Sequence, residues 1–389
     1  MSLVSLKDVS EIVRGVTFSK AEGSGTDTLG RIPVIRAGSI QRTLLVNEGQ
    51  IWVEESKVKE HQLIRKNDII MCTSSGSADL VGKCAISVDD HHVSFGAFCA
   101  GIRPNPTKVS PSYLYHFLNS PKFRNWTKNS SGANIKNIRA SELGDFKFEL
   151  PSLDEQKRIA AILDKADAIR RKRQQAIQLA DDFLRSVFLD MFGDPVTNPK
   201  GWEVKKFSDL GNWASGGTPS RSVSGYFEGE INWFSARELN HRYLNESVEK
   251  ITDEALSKSA AKIFPAGSML VGMYDTAAFK ISILNVASAS NQACANIIPN
   301  EKIDIEWFFS FIEFSKETYL RQRRGVRQQN LNLGMIKDFD LPLPPKTEQE
   351  KFVKLAHKTM QMKERNYSSL SNSLDNFNSL SQKAFAGEL

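Results

Sequence analysis

The side chains that come nearest to chemistry in this chain are few, and each falls short of the pattern that would make it work. "GSADLVGKC" from Gly76 ends in Gly82-Lys83, the glycine and lysine with which a phosphate-binding loop cradles a nucleotide. It puts five residues between its glycines instead of four, and Cys84 stands where a hydroxyl would hold magnesium. "GSGTDTLG" from Gly23 is not a GxGxxG dinucleotide loop, and no Asn-Pro-Pro-aromatic tetrapeptide is present to grip a flipped adenine for methyl transfer. Glu155 and Lys157 form an ExK triplet of nuclease type, but they lie at a helix start, where Glu is favoured by the exposed backbone N–H groups. His91-His92 with Cys84 and Cys99 match no zinc spacing, and the matching part of the second half has no histidines. None of these residues predicts a phosphate-binding loop, a methyltransferase core, a nuclease site or a metal site.

Charge is distributed more tellingly than it sums. The net charge is +6, yet from His91 to Ser141 there is no Asp or Glu, while Arg103, Lys108, Lys122, Arg124, Lys128, Lys136 and Arg139 are positive. From Thr318 to Lys337 the pattern returns with Arg321, Arg323, Arg324, Arg327 and Lys337. Two separate basic stretches predict two contacts with a polyanion.

The elements that must position these stretches are duplicated. A shift of 193 residues lays Asp145-Phe146 on Asp338-Phe339, Leu150-Pro151 on Leu343-Pro344, Glu155-Gln156 on Glu348-Gln349, Phe192 on Phe385 and Gly132 on Gly325. With small gaps, "RKNDIIMC" from Arg65 resembles "FPAGSMLVG" from Phe264, and Cys99-Ala100 resembles Cys294-Ala295. Two copies are too few for a solenoid, so a pseudo-two-fold protein is expected. In each copy short β-rich runs alternate with Gly, Ser and Asn turns, then come helix-like stretches, "PSYLYHFLNSPKFRNW" and "IEWFFSFIEFSKETYLRQ".

A long helix closes each copy. In the first, Ile159, Ile162, Ala166, Ile169, Arg173, Ala176, Ala180, Phe183 and Val187 alternate by three and four, a heptad seam. Pro151 and Asp154 start it, Gly193 and Pro195 stop it, and it should be on the order of 55 to 60 Å long. The second seam reads Phe352, Leu355, Thr359, Met362, Asn366, Ser369, then Leu370, Leu374, Phe377, Leu380 and Ala384. Both weaken at Arg173 and its counterpart Asn366, so each helix is the natural partner of the other. An antiparallel pair would act as a ruler between two globular heads. The basic run Arg170–Arg173 reads as a solvated face.

The expected fold class is thus α/β (α+β), with two mixed domains separated by an antiparallel coiled coil of two long helices, pseudo-two-fold. The expected boundaries are a first domain over 1–150, a long helix over 151–192, a linker over 193–201, a second domain over 202–342 and a second helix over 343–389. At 389 residues the chain can bury two cores. It has no apolar run long enough for a membrane span and no signal-peptide layout, which predicts a soluble, cytoplasmic protein. Cys72, Cys84, Cys99 and Cys294 are too few for a disulfide framework and read as buried thiols.

"LPSLDEQKRIAAILDKAD", "FGDPVTNPKGW" and the terminal "AFAGEL" resemble segments of the specificity subunits of type I restriction-modification systems, and the similarity runs the whole chain. "RGVTF", "IRAGSIQ", "SSGSADLVGK" and "SFGAFCAGIRP" resemble one subclass of target-recognition domain. The resemblance implies a non-catalytic subunit that binds double-stranded DNA, two methyltransferase subunits through its helices and, through them, motor-nuclease (restriction) subunits. S-adenosylmethionine, ATP and magnesium would belong to those partners, in a complex with adenine N6-methyltransferase and endonuclease activity. Each recognition domain would read one half of a split, asymmetric target, with half-sites roughly one helical turn, about 34 Å, apart.

On that reading, Arg36, Gln41, Arg42, Ser74, Ser75 and Lys83 in strand-end loops contact DNA in the first domain, with Lys128, Asn134 and Lys136 beside them. In the second domain the set is Arg237, Tyr274, Arg323, Arg324, Arg327 and Gln328. Phosphate contacts would supply most of the affinity, and paired Arg or Gln hydrogen bonds to base edges the discrimination. A stand-alone DNA-binding or regulatory protein of the same architecture is the alternative; an enzyme with an unrecognised site is a distant third.

Overall fold

A computed structural model of the chain describes residues 2–41, 43–77, 79–129, 136–321 and 330–389. The chain divides into two compact units, Met1–Gln174 with Tyr367–Leu389, and Gln175–Asn366.

The first unit opens with an edge hairpin in which Ser2–Ser5 pairs antiparallel with Lys147–Leu150. Its main sheet runs in the order Ser10–Arg14, Cys99–Pro104, Ile69–Cys72, Cys84–Ile86, all antiparallel. A smaller sheet follows the order Ile51–Glu54, Arg31–Ile35, Ser94–Phe95, the last pair parallel. The central strand Ile69–Cys72 is wholly buried and opens with two β-branched residues, Ile69 and Ile70, both at 0% exposure, as β-propensity and two-sided packing require.

The second unit repeats the edge hairpin, the main sheet and the smaller sheet. Glu203–Lys206 pairs with Asp340–Leu343, a sheet runs Gly211–Ser215, Cys294–Pro299, Met269–Gly272, Ile281–Leu284, and a smaller one runs Glu249–Ile251, Ile231–Phe234, Ala289–Ser290. The added strand is Tyr243–Leu244, beside Ile281–Leu284. Even the polar fastenings recur: Lys7 Nζ donates to Asp145 at 2.6 Å, and Lys206 Nζ to Asp338 at 2.8 Å.

The helix-like stretch of the first copy is two helices, Pro111–Leu118 and Pro121–Asn129, because Pro121 lacks the N–H that would continue the first. The second copy has no proline there and forms one helix, Ile305–Leu320.

The long helices are Leu153–Phe192 and Lys346–Ala386. Each gives one half to each unit's core. In the first unit Ile159, Ala160 and Leu163 pack with Ala384, Phe385 and Leu380. Arg158 donates to the Leu389 carbonyl, and the Arg170 guanidinium stands 5.1 Å over the Phe377 ring, so the two segments run antiparallel. In the second unit Phe188 lies 5.4 Å from Phe352 and Lys363 pairs with Asp181, again antiparallel. The helix ends dock alike: Phe385 sits 5.5 Å from Tyr113, Phe192 5.6 Å from Trp307. Among the described residues no helix is long and apolar enough to cross a membrane.

The expected heptad is present: Ile159 is buried and Ile162, Ala166, Arg173, Ala176, Ala180 and Val187 are half-buried, as is most of the second seam, but on the first helix the most deeply buried line runs one residue later. That line passes through Gln156, Ala160, Leu163, Asp167, Ile177 and Phe188, whereas Ile169 and Phe183, read as seam residues, are 41% and 47% exposed. On the second helix Met362 is 61% exposed and Lys363 takes its place. The interior of the pair contains charge, which an apolar pattern cannot reveal. Asp167 is buried between Arg170 and Arg171, the latter at 2.9 Å. Arg170 is therefore part of the packing and not of a solvated basic face.

A candidate nucleic-acid interface

Each unit carries a cleft built from the same three loops. In the first unit the turn after Arg31–Ile35, the turn after Ile69–Cys72 and the loop after Ser94–Phe95 line a cavity of about 980 Å³. In the second, the turns after Ile231–Phe234, Met269–Gly272 and Ala289–Ser290 line one of about 430 Å³. These loops leave the strands on one side of the sheets, where irregular backbone can meet a ligand without breaking a ladder.

Glycine permits the close approaches this needs. A Cβ on Gly15 would stand 2.2 Å from the Gly96 carbonyl oxygen, and one on the equivalent Gly216 2.3 Å from that of Asn291. The "GK" of the phosphate-loop mimic also has a structural role: Gly82, at φ +80°, donates its N–H to the Cys72 carbonyl and closes the hairpin.

The expected DNA-contacting residues fall into distinct environments. Arg36, Ser74 and Ser75 line the first cleft, and Arg237 and Tyr274 the second. Among the described residues, neither Arg36 nor Arg237 has a side-chain ion pair or hydrogen bond. Gln41 and Lys83 satisfy each other instead: Lys83 Nζ donates to Gln41 Oε1 at 2.8 Å, and Gln41 Nε2 donates to the Gly38 carbonyl at 2.8 Å. Lys128 is exposed on its helix outside the cleft lining. Lys136 pairs through its backbone with Ser75. Arg42, Asn134, Arg323, Arg324, Arg327 and Gln328 lie outside the described residues.

Much of the first basic stretch has structural work. Arg103 makes a two-pronged pair with the buried Asp68, at 2.9 and 2.8 Å. Arg124 donates to the carbonyls of Val81 and Asp79, and Lys108 to that of Asp8. Acid-free sequence thus overstated the free positive charge, because the partners of these cations come from elsewhere in the chain.

Sequence reasoning missed most of the lining, including three side chains that shape the clefts. Phe98, 69% exposed, lines the first cleft with Arg36 and was flagged only by being a large aromatic in a Gly/Ala loop. Glu48 lines the same cleft and carried no signal. Arg221, in the second cleft, pairs with Glu249 at 2.5 and 2.7 Å and lies 4.2 Å over the Phe227 ring.

Comparison with known proteins agrees with this duplicated architecture. Residues 1–179 and 199–364 match the family model of the type I restriction modification DNA specificity domain. The chain is 28% identical to the type I restriction enzyme StySPI specificity subunit of Salmonella potsdam, across 98% of this chain and 87% of that one. It is 33% identical to the EcoKI specificity subunit of Escherichia coli K12 across 48% and 41%. In fold it is similar to the crystal structure of the type I restriction-modification S subunit from M. genitalium, with a TM-score of 0.59 at 14% identity, covering 99% and 96% of the two chains. Two target-recognition domains, two long helices and a family match over most of the length converge: the chain belongs to the type I restriction-modification DNA specificity family, as a specificity subunit.

Proposed function

We propose that each cleft reads one half of a bipartite DNA target while the paired long helices fix the spacing between the halves and dock two methyltransferase subunits. Chemistry then resides in the partners: adenine N6-methylation with S-adenosylmethionine in the methyltransferase, and ATP- and magnesium-dependent translocation and cleavage in restriction subunits held through it. The setting is the cytoplasm, where DNA and these cofactors meet.

The observation that carries the reading is the recurrence of one three-loop cleft with different side chains in each unit. A conserved frame with changed contents suits two readers of unlike half-sites, since base discrimination depends on the side chains displayed and affinity on the phosphates around them. Docking is supported by apolar side chains left exposed on the long helices: Leu179, Phe183 and Met362 at 56%, 47% and 61% in the second unit, Ile169 and Tyr367 at 41% and 53% in the first. Exposed apolar surface on a helix face is what a helical partner would cover.

The test is co-expression with a methyltransferase subunit, purification, and mapping of modified adenines in DNA treated with the complex. A two-to-one assembly that methylates a split, asymmetric sequence is expected. A chain that stays alone would favour the stand-alone regulator, and methylation by the isolated chain would overturn its assignment as non-catalytic.

A further inference from the structure

The loop bearing Phe98 is held from several sides. The N–H groups of Thr73 and Ser74 both donate to the Phe98 carbonyl, at 2.9 and 3.2 Å, and Thr73 Oγ1 donates to it at 3.1 Å. Gly96 N–H donates to the Ile35 carbonyl, and Cys99 N–H to that of Gly96. Phe95 and Cys99, on either side, are 0% and 2% exposed. The backbone is fixed in the core while the ring is thrown into the open cleft, a rigid display of an apolar group.

Two neighbours define what the ring can meet. Arg36 lines the cleft with no partner for its guanidinium among the described residues, and Glu48 lines it too. A carboxylate in the cleft disfavours a phosphate but accepts readily from a cytosine amino group, so the lining suits base edges. The second unit keeps the composition and exchanges the loops. There Ala293 stands at the position of Phe98, the exposed aromatic is Tyr274 on the neighbouring turn, and the guanidinium without a carboxylate is Arg237. The shared frame does not require this; a shared task does.

We propose that Phe98 is a specificity-determining residue that packs against the C5 methyl group of a thymine in the major groove of the first half-site, next to a guanine read by Arg36. Apolar contact with the thymine methyl and paired donation to guanine O6 and N7 are the readouts these side chains can make. This deepens the proposed function and rests on it.

The experiment uses the full chain assembled with its methyltransferase subunits. A target is selected from a random duplex pool, and each thymine of its first half-site is then replaced in turn by deoxyuridine, which removes only the methyl group. The wild-type complex should lose about four-fold in affinity at one such position, the scale of burying a single carbon. Phe98→Ala should bind the thymine and uracil duplexes equally and relax selection at that base pair alone, with the second half-site unchanged; Phe98→Leu should keep part of the discrimination. Indifference of the wild type to every substitution, unchanged discrimination by Phe98→Ala, or uniform weakening on all duplexes would overturn the proposal. A wild-type complex that selects no sequence at all would instead bring down the DNA-reading function itself.

Discussion

Gln349 repeats Gln156 bond for bond. Gln156 Oε1 accepts from Ser110 N–H at 2.8 Å and its Nε2 donates to the carbonyls of Pro151 and Lys108, at 2.9 and 3.4 Å. Gln349 Oε1 accepts from Asp304 N–H at 2.7 Å and its Nε2 donates to those of Pro344 and Lys302, at 2.9 and 3.1 Å. Both side chains are buried, and each ties the start of a long helix to the loop entering a domain helix. Replacing either by Ala strands several buried polar groups. The expected loss is about 2 kcal/mol of unfolding free energy in denaturant titrations, with base preference unchanged.

The difference in burial along the first long helix gives a sharper test of packing. Phe188 is fully buried against Phe192, Phe314 and Phe352, whereas Phe183 is 47% exposed. Phe188→Ala should cost about 3 to 5 kcal/mol. Phe183→Ala should change stability by less than about 0.5 kcal/mol yet weaken methyltransferase binding in pull-down or titration. The reverse order would contradict the burial of Phe188 and the exposure of Phe183.

At the domain–helix contact of the first unit, burial alone would push the Asp164 carboxyl up, but hydrogen bonds from His116 and Ser112 hold it below its ordinary value of 3.8. A carboxylate depressed in the folded state contributes stability above its unfolded pKa and loses it as pH falls through the folded one. Asp164→Asn should therefore lower the denaturation midpoint near neutrality, and the gap to wild type should close below about pH 4. In the second unit the polarity is exchanged, with His357 at the equivalent position 3.9 Å from Glu306.

The thiols should be inert. Burial pushes Cys84, Cys99 and Cys294 up to about 12, and Cys72 is raised too. At neutral pH the native protein should react with thiol reagents only at its unfolding rate, while the denatured chain titrates four groups. Rapid stoichiometric labelling of native protein would contradict this.

The fold was legible where the two copies kept the same turn and capping residues, as with Leu150-Pro151, Gln156 and their counterparts. Along the helices the apolar spacing placed most seam positions inward, but it missed Ile169, Phe183 and Met362, which are exposed, and the polar side chains of Gln156 and Asp167, which are buried. In the cleft, Arg36, Ser74, Arg237 and Tyr274 were found by residue type, but Gln41 and Lys83 spend their polar atoms on each other, a pairing across the loops that linear spacing does not encode.

In the proposed function the helix pair sets the distance between two half-sites. One heptad removed from each long helix, Gln175–Asp181 and Arg365–Ser371, shortens the pair by about 10 Å at 1.5 Å per residue, or roughly three base pairs at 3.4 Å each. Mapping methylated adenines with the shortened complex should return the same two half-sites with a correspondingly shorter spacer. Methylation of the original sequence at its original spacing would contradict the claim.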